Sequence, residues 1–343
     1  MNSFPSLFRI LPLLALPLVA APEVETRPEP SAWRFAHPDA QILAGADLFR
    51  LGQSPLGEKL RQRFLAAMGP ELSRHVQRLL VSTAFAPDGS ADSILILSGP
   101  LNSARIKQMA AQGQAPIKNY KGVEVILPPS GSPDETHFAI VDSQTALLGT
   151  RLGVAGAIDR SLRTPRPHGE TNPLFSRALE LGSEAEVWVL TDELPAGFGP
   201  VSWDAQAGLE LVLTVKHDAG LAIGIALADP SQVDAALQPI EADRFAKPQA
   251  RYVLASWLPK LAALRQTSGL VLSGQLSEPA TLEEFPTLAA ALGLPIKPAV
   301  RPTRLEVTPP QPKPAPPVEP PVLRVRIEGL DNGPLEIPYQ TKK

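Results

Sequence analysis

Residues 81–113 read VSTAFAPDGSADSILILSGPLNSARIKQMAAQG. Val81–Phe85 and Ser93–Ser98 are runs of β-branched and aliphatic residues, and Pro87-Asp88-Gly89-Ser90 between them is a turn signal. Together they predict a β-hairpin. Asn102 then caps a helix that runs through Ala111, and Gly113 stops it. Paired strands followed by a helix indicate an α+β class with mainly antiparallel sheets, not strand–helix–strand alternation.

The flanking residues extend the pattern. Gln41–Leu48 reads as a buried strand, and Ser54-Pro55-Leu56-Gly57 opens a helix with Ser54 as cap and Pro55 at its first position. Leu56, Leu60, Phe64 and Leu65 recur at helical spacing. The spacing of Leu72, Val76, Leu79 and Leu80 predicts a second helix from about Glu71. Downstream, Tyr120–Ile126 reads as turn then strand, and His137–Val141 and Ala146–Gly149 as a hairpin around Asp142-Ser143-Gln144. Thr150 caps a helix over Arg151–Arg160. The order predicts an antiparallel sheet with helices packed on one side.

The polar stretch Arg160–Asn172 is the expected boundary between a first segment, 33–170, and a second, 171–295. In the second, Ala185–Leu190 reads as a strand and Gly208–Lys216 with Leu221–Ala228 as a hairpin. Asp229 caps a helix over Pro230–Ile240, Ser256–Leu264 is expected to be helical, and Gly269–Leu276 a strand. Thr281 and Glu284 suggest a capping box for a last helix, which Gly293 stops. Asn102 and Asp229 hold equivalent places, so two similar halves are an expectation, alongside chance recurrence of a common order.

The termini differ in character. Met1–Arg9 carries one positive charge, Ile10–Ala21 is apolar apart from Pro12 and Pro17, and Ala20 and Ala21 are small. This is the pattern of a signal peptide over residues 1–21, with an uncleaved anchor as the other reading. Residues 22–32 read as a flexible leader. Pro309–Pro321 holds 8 prolines in 13 residues, within a linker over 296–321. Such a stretch favours extended polyproline II and spans roughly 40 Å. In the tail, 322–343, Val322–Ile327 alternates apolar and basic residues, Asp331-Asn332-Gly333 is a turn, and Leu335-Glu336-Ile337 is a return strand. An isolated hairpin is marginal in water, so Val322, Arg324, Arg326 and Ile327 are candidates for a strand that docks on a partner's sheet edge. Folding back on its own chain, or staying disordered, is the alternative.

Composition narrows the chemistry. A net charge of −3, a pI near 6.0 and 5% aromatic residues provide neither a basic field nor a stacking surface for nucleic acid. With no cysteine there are no disulfides, thiolate metal sites or thiol nucleophiles. His37, His75, His137, His168 and His217 are scattered without metal-ligand spacing, and each reads as solvated or capping. Gly52-Gln53-Ser54-Pro55-Leu56-Gly57 has one residue too many for a nucleophile elbow. Gly149-Thr150-Arg151-Leu152-Gly153-Val154-Ala155-Gly156 has Val154 where a phosphate loop needs Lys. Asp192-Glu193 and Glu283-Glu284 are neighbours in sequence rather than convergent pairs. No cofactor is implied.

His37-Pro38-Asp39-Ala40, Ser54-Pro55-Leu56-Gly57, Tyr120-Lys121-Gly122-Val123 and Ala157-Ile158-Asp159-Arg160 resemble segments of exported bacterial proteins of unknown function. Those proteins open with a Pro-Asp strand and a Ser-Pro-Leu-Gly helix start. The resemblance implies export and carries no activity. The expected role is a non-enzymatic interaction or scaffold protein of the cell envelope, whose partner is an envelope protein or ligand. Membrane contact is limited to the N-terminal segment if that segment is retained. A module binding a small ligand or cell-wall component is the alternative, with Trp188, Trp203 and Trp257 as candidate cleft aromatics. A hydrolase with an unfamiliar site is the third reading.

Overall fold

The structure, a computed structural model, describes residues 30–66, 68, 72, 74–128, 136–163, 172–194, 198, 208–227, 229–245, 253–267, 269–295, 323–327 and 335–339. The chain divides into two compact units, 1–299 and 300–343.

In the first unit, β1 (Ile42–Asp47), β2 (Arg78–Phe85), β3 (Ala91–Ser98), β4 (Ile117–Tyr120), β5 (Val123–Ile126), β6 (His137–Ile140) and β7 (Thr145–Gly149) come first. Then follow β8 (Val187–Thr191), β9 (Gly208–Val215), β10 (Ala219–Ala226), β11 (Ala262–Gln266) and β12 (Gly269–Leu276). They form one 12-stranded sheet in the order β11-β12-β10-β9-β8-β1-β2-β3-β7-β6-β5-β4. Every pairing is antiparallel. The α+β class read from the hairpins is the class observed. β1 of the first expected segment pairs with β8 of the second, so the sheet continues from one into the other.

The helices are α1 (Leu48–Leu51), α2 (Pro55–Ala66), α3 (Ser103–Gln112), α4 (Arg151–Ser161), α5 (Pro173–Glu184), α6 (Val233–Phe245) and α7 (Phe285–Ala291). They lie on both faces of the sheet, which corrects the expectation of one side. On one face, Ala44, Val81, Leu97, Val189, Leu211 and Ile223 pack with Leu51 of α1, Phe64 of α2, Ile240 of α6 and Phe285 of α7. On the other, Leu43, Leu80, Ile96 and Trp188 pack with Val154 of α4 and with Phe175 and Leu181 of α5. The reason lies in β1 and β8, which are buried on both faces and need two covers. β9 and β10, by contrast, alternate buried and half-buried positions, as strands covered on one side do.

Gly45 shows how tightly the centre is packed. It stands opposite Trp188, and a Cβ there would lie 2.4 Å from the indole Cζ2. Only glycine lets the ring lie across β1.

Three local expectations are corrected. Leu79 and Leu80 belong to β2, not to a helix, because helical spacing and a strand buried on both faces give the same apolar run. Ser256–Leu264 is not helical: two 3-10 turns, Val253–Ser256 and Leu258–Lys260, lead into β11. Pro259 lacks the N–H that a continuing helix needs. Thr281 does not cap; it sits inside a π-helical turn, Ala280–Glu284, and its Oγ1 donates to Ser277 O at 2.9 Å. The caps at Asn102, Thr150 and Ser54 are present, each side-chain oxygen accepting a backbone N–H at 3.0 Å.

In the second unit, β13 (Leu323–Ile327) and β14 (Leu335–Tyr339) form a two-stranded antiparallel hairpin. Leu323, Val325 and Ile327 stand opposite Tyr339, Ile337 and Leu335. The linker over 296–321, the signal segment over 1–21, residues 22–29 of the leader over 22–32, and Val322 lie outside the described residues; at the end of that leader, Ser31 and Ala32 open the 3-10 turn Ser31–Phe35.

Candidate functional site

Where β1, β2, β3 and β7 end beneath α5, the sheet carries an open cleft of about 680 Å³. That is within the usual range for ligand sites, roughly 300–1,000 Å³. Register sets its floor. Asp47, Arg78, Ser98 and Thr145 form one row across the four strands. Two residues further in, roughly 7 Å along the strands, Trp188, Gly45 and Leu80 form a second row. The polar row spans on the order of 14 Å, at the usual inter-strand spacing. A polar edge therefore runs beside an apolar floor.

Two elements wall the cleft. One is the 3-10 turn Ser31–Phe35, whose Trp33 meets Phe175 edge-on at 5.6 Å. The backbone carbonyl of Phe35 accepts from Arg160 of α4 at 3.1 Å, and Asn172 Nδ2 donates to Ala40 O at 2.9 Å. The other wall is α5, which lines the cleft with Ala178, Leu179, Gly182 and Ser183.

Charged groups hold α5 at two places. Arg177 makes a two-pronged pair with Glu210 of β9, both bonds 2.7 Å, and this raises the Arg177 pKa above its ordinary value. At the C-terminal end, Arg50 of α1 donates to the carbonyls of Gly182, Glu184 and Ala185 and to Glu186 Oε1 at 2.8 Å. The buried Glu186 in turn accepts Val215 N–H at 2.8 Å. Arg50 thus satisfies carbonyls that a helix end leaves unpaired, and a cation is favoured there.

Asp47 joins this frame to the cleft. Its Oδ1 accepts Arg50 N–H at 2.9 Å, capping α1, and its Oδ2 accepts from Arg78 Nε at 3.1 Å. Asp47 is buried, whereas the Arg78 side chain is 68% exposed on the cleft floor.

Of the aromatics read from sequence, Trp188 lies in this cleft. Trp257 does not: it is buried in the core of the opposite face, with Lys260 Nζ 5.2 Å above its ring. Trp203 lies outside the described residues. Arg324, Arg326 and Ile327 belong to β13. The structure adds Trp33, Asp47 and Arg78, which sequence reading missed. Arg78 falls within the stretch whose spacing predicts a helix, and only long-range register sets it beside Asp47.

A second polar cluster lies on the same face. His37 is 4% exposed, which corrects its reading as a solvated histidine; His137 is buried as well. The segment after the 3-10 turn lays His37 across β2 and β3, where its N–H donates to Ser82 Oγ at 2.9 Å. Its Nδ1 lies 3.1 Å from the Ser82 carbonyl oxygen and 3.2 Å from Ser82 Oγ, and its Nε2 3.1 Å from Asp92 Oδ2. Burial, helped by nearby Arg160, lowers the His37 pKa below its ordinary value. The residue types are those of a hydrolytic triad, but Ser82 is 0% exposed. In this position the group fastens chain segments and offers no nucleophile to a substrate.

Among the described residues, no group of three or more His, Asp or Glu side chains is placed to hold a metal ion. Among them too, no helix is long and apolar enough to cross a membrane. No family model, curated protein or solved structure matches the chain.

Proposed function

We propose that this chain is an exported, non-enzymatic interaction protein of the bacterial cell envelope, and that it holds its ligand in the cleft beneath α5. The observation that carries this reading is the cleft itself: about 680 Å³, walled by two braced elements, with polar and apolar rows side by side. The apolar run Ile10–Ala21 supports export. The return of the chain to β3 through β7, and to β10 through β12, supports an origin by duplication.

The test is site-specific cross-linking in intact cells. A photoreactive residue replaces Ser183 on the cleft wall, and a control replaces Glu241 on α6. An adduct at position 183 and none at 241, in the envelope fraction, is the expected result. Equal labelling at both positions, no adduct at either, or recovery of the chain only from the cell interior would overturn the reading.

The hairpin favours a second contact. Its register sets apolar residues opposite one another, Leu323 with Tyr339, Val325 with Ile337 and Ile327 with Leu335. A two-stranded unit with that pattern gains stability by packing on another surface. This supports β13 as a partner-binding strand.

A further inference from the structure

The Arg78 guanidinium is anchored from behind. Its Nε bonds Asp47 at 3.1 Å, and Asp47 is itself fixed by the Arg50 N–H at 2.9 Å. Among the described residues, the terminal nitrogens Nη1 and Nη2 have no acceptor. A guanidinium held by Nε presents its other edge as a planar two-donor fork, which matches a carboxylate. Ser98 and Thr145 stand in the same row and supply neutral hydrogen-bonding groups. Across roughly 7 Å of floor, the buried Leu80 and Trp188 form the base of the cleft, and the half-buried Ala32 and Leu179 expose its apolar surface.

Charge narrows the ligand further. Asp47 already offsets the one positive charge, so the pair is neutral before a ligand arrives. A monoanion therefore brings the group to a net charge of −1 and a dianionic phosphate to −2, so the smaller charge is the less costly to hold. Arg50 occupies the carbonyls of Gly182, Glu184 and Ala185 at the end of α5 and so offsets part of the repulsion an anion would meet there.

Resting on the cleft-binding reading above, we propose that the ligand is an amphipathic monocarboxylate. Its carboxylate pairs with Nη1 and Nη2 of Arg78, and its apolar part lies over Leu80 and Trp188 toward Ala32 and Leu179. Two sources share this chemistry: a fatty acid and a peptide C-terminus with apolar residues.

Binding to the purified full chain is followed by calorimetry and by tryptophan fluorescence, since Trp33 and Trp188 line the cleft. The probes are decanoate against decanol, N-acetyl-Leu-Leu against its C-terminal amide, and decyl phosphate. The expected result is saturable binding of at least one carboxylate, about tenfold or more tighter than its neutral counterpart and tighter than the phosphate. Whichever carboxylate binds identifies the source. Arg78→Gln weakens that binding about tenfold or more, and Arg78→Lys, which keeps the charge but not the fork, falls between. Where Arg78→Gln does not fold, Arg78→Lys decides by the same comparison. Arg265→Gln removes a charge on β11, outside the cleft lining, and leaves binding unchanged.

Equal binding of the neutral probes, tighter binding of the phosphate, unaltered binding by the Arg78 variants, or no saturable binding of either carboxylate would overturn the assignment. Neutral probes that bind and are excluded by Gly182→Leu leave the cleft reading standing while the carboxylate falls. Failure of the Ser183 cross-link removes the cleft reading itself.

Discussion

At His37, burial and the Arg160 guanidinium disfavour the imidazolium, against the pull of Asp92 and Asp39. The sign of the pH dependence follows. Well above pH 6.5, the ordinary histidine value, neither the folded nor the unfolded chain holds the proton. As the pH falls through that value, the unfolded chain takes up a proton that the buried ring resists. Stability is therefore lost below pH 6.5, until the lowered native pKa is reached and the loss levels off. The slope approaches about 1.4 kcal/mol per pH unit at most. Urea unfolding at a series of pH values from neutral to mildly acidic should show this fall. His37→Gln should be less stable at neutral pH but show a flatter profile. A variant profile as steep as that of the native protein would assign the pH dependence to other groups.

Among the elements, α5 depends most on partners distant in sequence. Asn172 caps its start, and Arg50 and Arg177 tie it to the strands. Arg50→Met removes the donor from three carbonyls and leaves the buried Glu186 without its cation. Because Arg50 is only part-buried, the expected loss is about 2–4 kcal/mol. Hydrogen exchange should quicken in the last turn of α5 and at Val215 before it changes in α4. Uniform acceleration across the molecule would mean that Arg50 acts on global stability alone.

These same elements show what could be read from sequence. Caps and turns are local, so Asn102, Thr150 and the Pro87–Ser90 turn were legible, and the hairpins gave the class. β2 was legible only in part, because Leu79 and Leu80 face opposite cores and mimic a helical run. The polar row of the cleft was not legible. Asp47, Arg78, Ser98 and Thr145 come together only once β1, β2, β3 and β7 are in register. Trp188 could be singled out for its type, but not separated from Trp257, since both are buried.

For the whole molecule, the division at residues 299 and 300 separates the 12-stranded sheet from the hairpin. Removing residues 308–343 is therefore expected to leave the melting temperature of the remaining chain within a degree or so, as calorimetry would show. A drop of several degrees would place the tail within the stability of the sheet.

The β1–β8 pairing has a consequence for how the protein is made. β1 has β2 close behind it in the chain, but its other neighbour is the eighth strand to appear. At roughly 5–20 residues per second of synthesis, the nascent chain spends several seconds with Leu43, Ala44, Gly45 and Ala46 along an open edge. An uncharged edge of that kind invites pairing with a stranger. The centre of the finished sheet is thus a seam that stays open until β8 arrives, and that interval is when a chaperone has most to protect.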